Sequence, residues 1–511
     1  MSKRGASIVN VIISRMNWRA GKFVPGRNNF TSVLLTRLLV AAIFALAFSC
    51  TNIEARQASP ASAEKFKQDA HSSIANGQWD AAIQSYEKAI ALAPNDLSLR
   101  LELGAVLLKS GQLTDSIAAF QEALRIAPHN LTAELGLAQG YRAVRNNEEA
   151  KRALERAIRE HPKSPEPLAA IGEFEIQQQT YDAAIGHLKA SLALAPANAE
   201  TRNLLAAAYK AKGDLPSALA ELEKVLVRDP DNALAHFLRA EIYSDQNKDA
   251  LALPDAQKVV ALQPQNLRGR TILGKILLRT PEGASQGEIS KRCSEAVAAL
   301  EPIAESEAQA KTASSETLFL LSRAYRCAGQ AEQAEKTAAE FETASQKERS
   351  AKENEAQANH LVQQANDAAL TNDFQGAVNL LQQALVKDPN SGAAYSILAK
   401  LYYSAGNLEK ASEAISEALV RGPHHPDFLY VQGKILERQG KSDEALASFE
   451  QTTLINPRES DAYFEIGAIY QKRNDRPRAI AAYKKAVEIS PDDPDYRKAL
   501  ASVSGAKPVS P

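Results

Sequence analysis

The chain has 511 residues, of which 45% are hydrophobic and 6% aromatic, and this length predicts several domains or an array of repeats rather than one core. Residues 1–59 hold eight basic residues and one acidic residue, which leaves 52 basic and 60 acidic residues for the remainder. Because nucleic-acid binding needs clustered Lys and Arg to neutralise phosphates, this mildly acidic remainder argues against a nucleic-acid partner.

The N-terminal segment has the composition of an export signal. Basic residues precede an unbroken apolar run from Leu38 to Phe48, which is followed by small and polar residues. This order is typical of a secretory signal, and the run is shorter than the roughly 20 residues that span a bilayer. Three outcomes stay open: cleavage after Ala55 or Ala63, lipid attachment at Cys50, or an uncleaved anchor. We expect an exported protein, periplasmic or membrane-anchored and facing the periplasm, that contacts the membrane only through this segment.

Prolines recur every 34 residues in two registers along the rest of the chain. They are Pro94, Pro128, Pro162, Pro196, Pro230 and Pro264, and then Pro389, Pro423, Pro457 and Pro491. A Gly or Ala stands 24 positions before each proline, and a large apolar residue stands eight positions before most of them. Small side chains are needed where two helix axes approach closely. Gly or Asn seventeen positions before many of the prolines suits a left-handed helix cap, and proline ends a helix. Each unit is therefore predicted as helix, tight turn, helix and proline stop.

This pattern resembles the tetratricopeptide repeat family. It is clearest in the unit that contains Gly104, Gly111 and Phe120, and equally clear in the unit that contains Gly467 and Tyr483. The resemblance, to an exported bacterial type, implies an all-α fold: a right-handed superhelical solenoid of about twelve antiparallel helix pairs. It also implies a protein that binds other proteins.

The middle of the chain departs from the repeat. An enlarged turn is predicted from Thr280 to Gly287, and a kink or break is predicted at Pro302. The charged stretch from Gln346 to Glu355 is predicted to lie in one elongated helix, with a disordered linker as the alternative. The predicted organisation is a signal or anchor segment and linker (1–62), a first array of six units (63–266), irregular repeats with the long connecting helix (267–357), a second array of four units (358–493), and a capping helix and tail (494–511).

Cys293 and Cys327 are 34 residues apart and fall at helix ends expected on the same edge of the solenoid. A disulfide is plausible in an oxidising compartment. Two buried thiols are the alternative, since free Cys often behaves as a small apolar residue.

Residues suited to catalysis or metal binding do not form a recognisable motif in the sequence. The only histidine cluster is His424–His425, which Asp427 could join, but a metal site needs three or four convergent ligands and a solvated turn is the ordinary interpretation. The sequence contains no CxxC motif and no serine elbow. We therefore expect no enzymatic activity, no cofactor and no metal site.

The resemblance places the first helix of each unit along a concave groove. Aromatic residues rimmed with charge are good anchors for a peptide or helix. The candidate partner-binding residues are Phe237, Lys400, Tyr403, Tyr430, Lys434 and Phe464, and Asp427 and Asp461 are expected among them in the groove. The alternative for these side chains is partial burial against the next unit. The favoured function is a scaffold that assembles or recruits envelope proteins; the alternatives are an accessory subunit of polysaccharide synthesis or secretion, or carbohydrate recognition along the groove.

Overall fold

A computed structural model describes residues 60–504 of the chain. The predicted signal or anchor segment up to residue 59, including Cys50, lies outside the described residues, and so does the tail from residue 505. The described residues form 24 α-helices and no β-strand, which confirms the predicted all-α class. They divide into two compact units, one ending at Pro94 and one beginning at Asn95.

The first unit is a single helix pair. It consists of α1 (Pro60–Ala75) and α2 (Trp79–Leu92), joined by a turn in which Gly77 has a φ of +70°. Ala70, Ala82 and Tyr86 are buried within it.

The second unit is a solenoid of successive helix pairs, each packed on the next. Its first ten helices follow the 34-residue repeat: α3 (Leu97–Ser110), α4 (Leu113–Ile126), α5 (Leu131–Ala143), α6 (Asn147–Glu160), α7 (Pro165–Gln177), α8 (Tyr181–Leu194), α9 (Ala199–Lys212), α10 (Leu215–Arg228), α11 (Ala233–Asp245) and α12 (Asp249–Leu262). The irregular middle contains α13 (Leu267–Leu277), α14 (Gln286–Gln309), α15 (Ser315–Cys327) and α16 (Ala331–Leu370). The regular repeat then returns with α17 (Phe374–Lys387), α18 (Gly392–Ser404), α19 (Leu408–Arg421), α20 (Pro426–Arg438), α21 (Ser442–Ile455), α22 (Ser460–Lys472) and α23 (Arg476–Ile489), and α24 (Pro494–Ser504) follows the last proline.

Polar residues two positions after the repeat prolines explain where the first helices begin. Asn130, Asn198, Asn232 and Asn266 each accept a hydrogen bond at the side chain from a backbone N–H of the following helix. Such N-caps satisfy donors that the first helical turn leaves unpaired. The proline ends one helix and the capping side chain starts the next, so the repeat sets the boundaries locally.

A glycine of the first helix lies against a large side chain of the second helix in several units. A Cβ atom added to Gly467 would lie 2.6 Å from the ring of Tyr483, and one added to Gly433 would lie 2.6 Å from the ring of Phe449. Real Cβ atoms essentially never approach other atoms so closely. The small residue that recurs 24 positions before the proline therefore lets the two axes approach until the large residue fills the space between them.

The middle helices adjust this repeat without ending it. Ser285 and Glu288 form a capping box that starts α14 directly after the enlarged turn. The helix continues through Pro302 to Gln309, so the break considered at Pro302 is absent. Helix α16 is 40 residues long and covers the charged stretch. It serves as the second helix of one unit and the first helix of the next.

Cys293 in α14 and Cys327 at the end of α15 form a disulfide, with Cα atoms 5.6 Å apart. The bond closes a loop that contains the turn between α14 and α15. Both cysteines belong to the irregular middle of the second unit, where the turn after α13 is enlarged.

Helices far apart in sequence also meet inside the second unit. Helix α4 lies against α21. The side-chain amide of Asn146, before α6, donates to the backbone carbonyl of Ile455 at 2.6 Å across 309 positions of sequence. Leu454 packs against the buried cluster that includes Ile117 and Tyr141. Repeat periodicity contains no signal for this contact.

Within the described part of the chain, every helix is too short or too polar to cross a lipid bilayer.

Replacing Gly467 by Ala should lower the free energy of unfolding by about 1–3 kcal/mol, because the added methyl group overpacks the contact with Tyr483. Gly186 is the matched control: it lies inside α8 with no atom within 4 Å of an added Cβ. Gly186→Ala should raise stability by roughly 0.5–1 kcal/mol, since Ala favours the helix. Urea denaturation followed by circular dichroism measures both. Equal effects of the two substitutions would contradict the packing role.

Cys327→Ser should lower the free energy of unfolding by about 3–4 kcal/mol, because the 34-residue loop is no longer constrained in the unfolded chain. Denaturation without reductant measures the loss. A reductant should destabilise the native protein and leave the variant unchanged; a native protein that is insensitive to reductant would count against a stabilising disulfide.

Candidate functional site

Aromatic rings and carboxylates line the first helices at the C-terminal end of the second unit. We call this the aromatic–acidic surface and define it by Tyr430 on α20, Asp461, Phe464 and Glu465 on α22, and Tyr496 on α24. The rings of Phe464 and Tyr496 have centroids 5.2 Å apart. The hydroxyl of Tyr496 donates to the carboxylate of Asp461. A cavity of about 530 Å³ lies along α22 and α24 and is lined by these residues except Tyr430.

The repeat explains why these side chains share one surface. Tyr430 and Phe464 stand 27 positions before consecutive repeat prolines, so they occupy the same place in neighbouring units. Asp461, Phe464 and Glu465 follow the i, i+3, i+4 spacing that places side chains on one helix face.

The two groove aromatics, Tyr430 and Phe464, each pack against the large ring that lies between the two helices of the same unit. The centroids of Tyr430 and Phe449 are 5.6 Å apart, and those of Phe464 and Tyr483 are also 5.6 Å apart. Phe449 and Tyr483 are the rings packed against glycine in these units. Both groove aromatics are consequently half-buried and held in place from behind.

The surface carries more acidic than basic side chains, although Lys434 pairs with Glu465 and Lys498 lines the cavity. Burial raises the pKa of the Tyr430 hydroxyl, and the carboxylates of Glu465 and Asp461 raise it further. Burial and the hydrogen bond to Asp461 raise the pKa of Tyr496 to about 12. Burial and the neighbouring carboxylates of Asp461 and Asp427 raise the pKa of Glu459. A positively charged ligand would relieve this repulsion.

Three more of the predicted groove residues differ in how accessible they are. Lys434 forms an ion pair with the half-buried Glu465, so the positive charge of Lys434 is already neutralised. Tyr403 is half-buried, and the guanidinium of Arg438 lies over its ring at 4.9 Å. Lys400 is exposed. Of these three side chains, Lys400 is the one most open to solvent.

Phe237 requires a correction. It was predicted as an exposed anchor, but its side chain is only 6% exposed, and Arg268 of the next unit lies over the ring at 4.7 Å. Stacking of the following unit buries the ring, as the alternative interpretation anticipated. Phe237 is therefore part of the core between units.

A second cavity, of about 1070 Å³, lies where the turn before α6 approaches the ends of α19 and α21. Its polar lining includes the carboxylates of Glu148 and Glu149, the imidazoles of His424 and His425, and four guanidinium groups, those of Arg145, Arg152, Arg421 and Arg458. His425 stacks on Phe428 with ring centroids 4.2 Å apart. Metal ligands do not converge at these histidines: within residues 60–504, three such ligand atoms come together only around Glu134.

Two members of the aromatic–acidic surface were missed from the sequence. Tyr496 lies in α24, beyond the last repeat proline, so the 34-residue register does not point to it. Glu465 directly follows Phe464, and the i+4 spacing from Asp461 was the signal that could have found it.

Models of tetratricopeptide repeats match the chain at residues 107–173, 175–242 and 368–435, and at residues 70–130 and 430–494. Together these matches cover more than half of the chain. No curated protein matches it in sequence.

Several solved structures are similar to the chain. A tetratricopeptide repeat protein from Parabacteroides merdae ATCC 43184 is 21% identical, covering 52% of this chain and 98% of its own, with a TM-score of 0.39. A chain of the APC/C hetero-tetramer Cut9–Hcn1 is 13% identical, covering 88% of this chain and 93% of its own, with a TM-score of 0.33. YrrB, described as a tetratricopeptide repeat protein with an unusual peptide-binding site, is 22% identical. The match covers 37% of this chain and 97% of that chain, with a TM-score of 0.29.

Proposed function

Because the chain belongs to the tetratricopeptide repeat family, we propose that it is a non-enzymatic scaffold whose aromatic–acidic surface binds a cationic segment of a partner protein. The observation that carries this proposal is the pair of half-buried rings, Tyr430 on α20 and Phe464 on α22, beside the exposed carboxylate of Asp461. The ring of Tyr496 on α24 is buried and closes one end of this surface by packing on Phe464 and donating to Asp461. Rings held from behind supply contact area with little loss of side-chain freedom.

Charge selects the partner. Asp461 and Glu459 lie near Tyr430, and Asp427 lies near Glu459. Of the nearby cations, Lys434 is already paired with Glu465, and Lys498 lines the cavity. A segment with Lys or Arg beside an apolar or aromatic residue would match both features, because its charge meets the carboxylates while its apolar side chain enters the cavity at Phe464.

We place this scaffold in the cell envelope as part of the same proposal. The basic N-terminal segment followed by an apolar run is typical of export. The disulfide between Cys293 and Cys327 supports an oxidising compartment. Whether the segment is cleaved, lipidated at Cys50 or retained as an anchor is settled by the mass of the mature protein.

Selection from a phage-displayed random peptide library on the immobilised full chain tests the binding proposal. Enriched peptides should combine basic residues with one large apolar residue. Phe464→Ala should weaken their binding by roughly 30-fold, the effect of removing a central anchor. Asp427→Lys, an exposed position, should weaken it by like-charge repulsion and reduce the dependence on salt.

Phe319→Ala is the matched control. This ring is 42% exposed but lies on α15 beside Phe341, away from the aromatic–acidic surface. It should leave peptide binding unchanged. Failure to enrich any peptide, or equal binding to the native protein, Phe464→Ala and Asp427→Lys, would refute the proposal.

A further inference from the structure

Glu134, Glu160 and His161 come together within one repeat unit. Glu134 lies in the first turn of α5, Glu160 is the last residue of α6, and His161 follows it directly. The antiparallel pairing of α5 with α6 brings the start of one helix beside the end of the other. Oxygen and nitrogen atoms of these three side chains all lie within 4.8 Å of one another.

The carboxyl group of Glu134 is completely buried, with 0% of its surface exposed, and it interacts with Glu160, but its Oε2 has no hydrogen bond of ordinary geometry. Arg156 Nε donates to Oε1 at 3.1 Å. Oε2 accepts no hydrogen bond, and His161 Nε2 lies 3.6 Å away from it, also buried and without a hydrogen-bond partner. Buried polar atoms nearly always have a partner, so two orphaned ligand atoms facing each other indicate a missing bound species.

The guanidinium of Arg156 does not supply what is missing. It contacts the opposite oxygen of Glu134, and its own Nη2 is buried without an acceptor. Two carboxyl groups and one imidazole converge here beside a single guanidinium, and a divalent cation would bind between the three ligand groups.

The second carboxylate, that of Glu160, is oriented from outside the cluster. His129 Nδ1 lies 2.8 Å from Glu160 Oε2, and His129 itself is largely exposed. Such an outer hydrogen bond is typical of the groups that hold metal-ligating side chains in place.

The ligand set fits zinc better than calcium. One imidazole nitrogen and two carboxylate oxygens suit Zn²⁺, whereas Ca²⁺ takes six to eight oxygen ligands. Ligands about 2.0–2.2 Å from a tetrahedral ion are roughly 3.3–3.6 Å apart, and the 3.6 Å between Glu134 Oε2 and His161 Nε2 matches this spacing.

We propose that Glu134, Glu160 and His161 bind one zinc ion, with water in the fourth position. The site ties the first turn of α5 to the end of α6. It departs from the expectation of no metal site, because its ligands stand 26 and 27 positions apart and form no recognised zinc motif.

Titration of the full, metal-stripped chain with Zn²⁺ in competition with a chromophoric chelator tests the site. The native protein should bind one Zn²⁺ per chain at the cluster, and Zn²⁺ should raise its melting temperature. Glu134→Gln keeps the side-chain shape and should weaken that binding at least about tenfold, since even outer-shell changes typically cost roughly 10- to 100-fold. His161→Asn, at the residue after α6, should do the same.

Glu175→Gln is the matched control. Glu175 is a buried carboxylate that pairs with His187 at 2.8 Å in the next unit, but no third ligand joins that pair. It should leave zinc binding unchanged. Circular dichroism confirms that each variant is folded, and His161→Asn decides the question if Glu134→Gln is not. Absence of zinc binding by the native protein, or equal binding by folded variants, would overturn the proposal.

Discussion

The close approach of a glycine to a large ring between paired helices is the contact on which the second unit depends. In the units of Gly433 and Gly467 no methyl group fits at the glycine without displacing the ring of Phe449 or Tyr483. Alanine takes the equivalent place at Ala399, which is fully buried. The packing distance within a pair is therefore set by two positions, and other helix faces are free to carry different side chains.

This core contact also positions the surface that we propose binds a partner. Phe449 and Tyr483 back the groove aromatics Tyr430 and Phe464, so each ring that fills a helix pair also holds one surface ring in position. The surface gains a firm apolar floor without a large core of its own. In the proposed function its carboxylates favour cationic partners, since negative charge attracts cations and repels acidic segments.

Features that repeat every 34 residues could be predicted from the sequence, because each depends on residue types within a single helix pair. The proline stops, the left-handed caps at Gly111 and Gly440, and the small-to-large contacts all belong to this class. Burial of Phe237 was harder to predict, since it depends on where Arg268 of the next unit places its guanidinium.

Contacts between distant parts of the chain could not be predicted in this way. The hydrogen bond from Asn146 to Ile455 depends on how small rotations accumulate over many helix pairs. The Glu134 cluster escaped notice because its ligands are separated in sequence and converge only when α5 packs on α6. Tyr496 lies beyond the last repeat proline, so a search for periodic positions does not reach it.

A double-mutant cycle on Gly433 and Phe449 tests the small-to-large contact most directly. Gly433→Ala should destabilise the protein by overpacking, and Phe449→Leu should destabilise it by losing ring contacts. Because the shorter Leu side chain makes room for the added methyl group, the double variant should be more stable than the sum of the single effects predicts, by at least about 0.5 kcal/mol. Strictly additive effects in urea denaturation would show that the glycine and the ring do not determine each other's place.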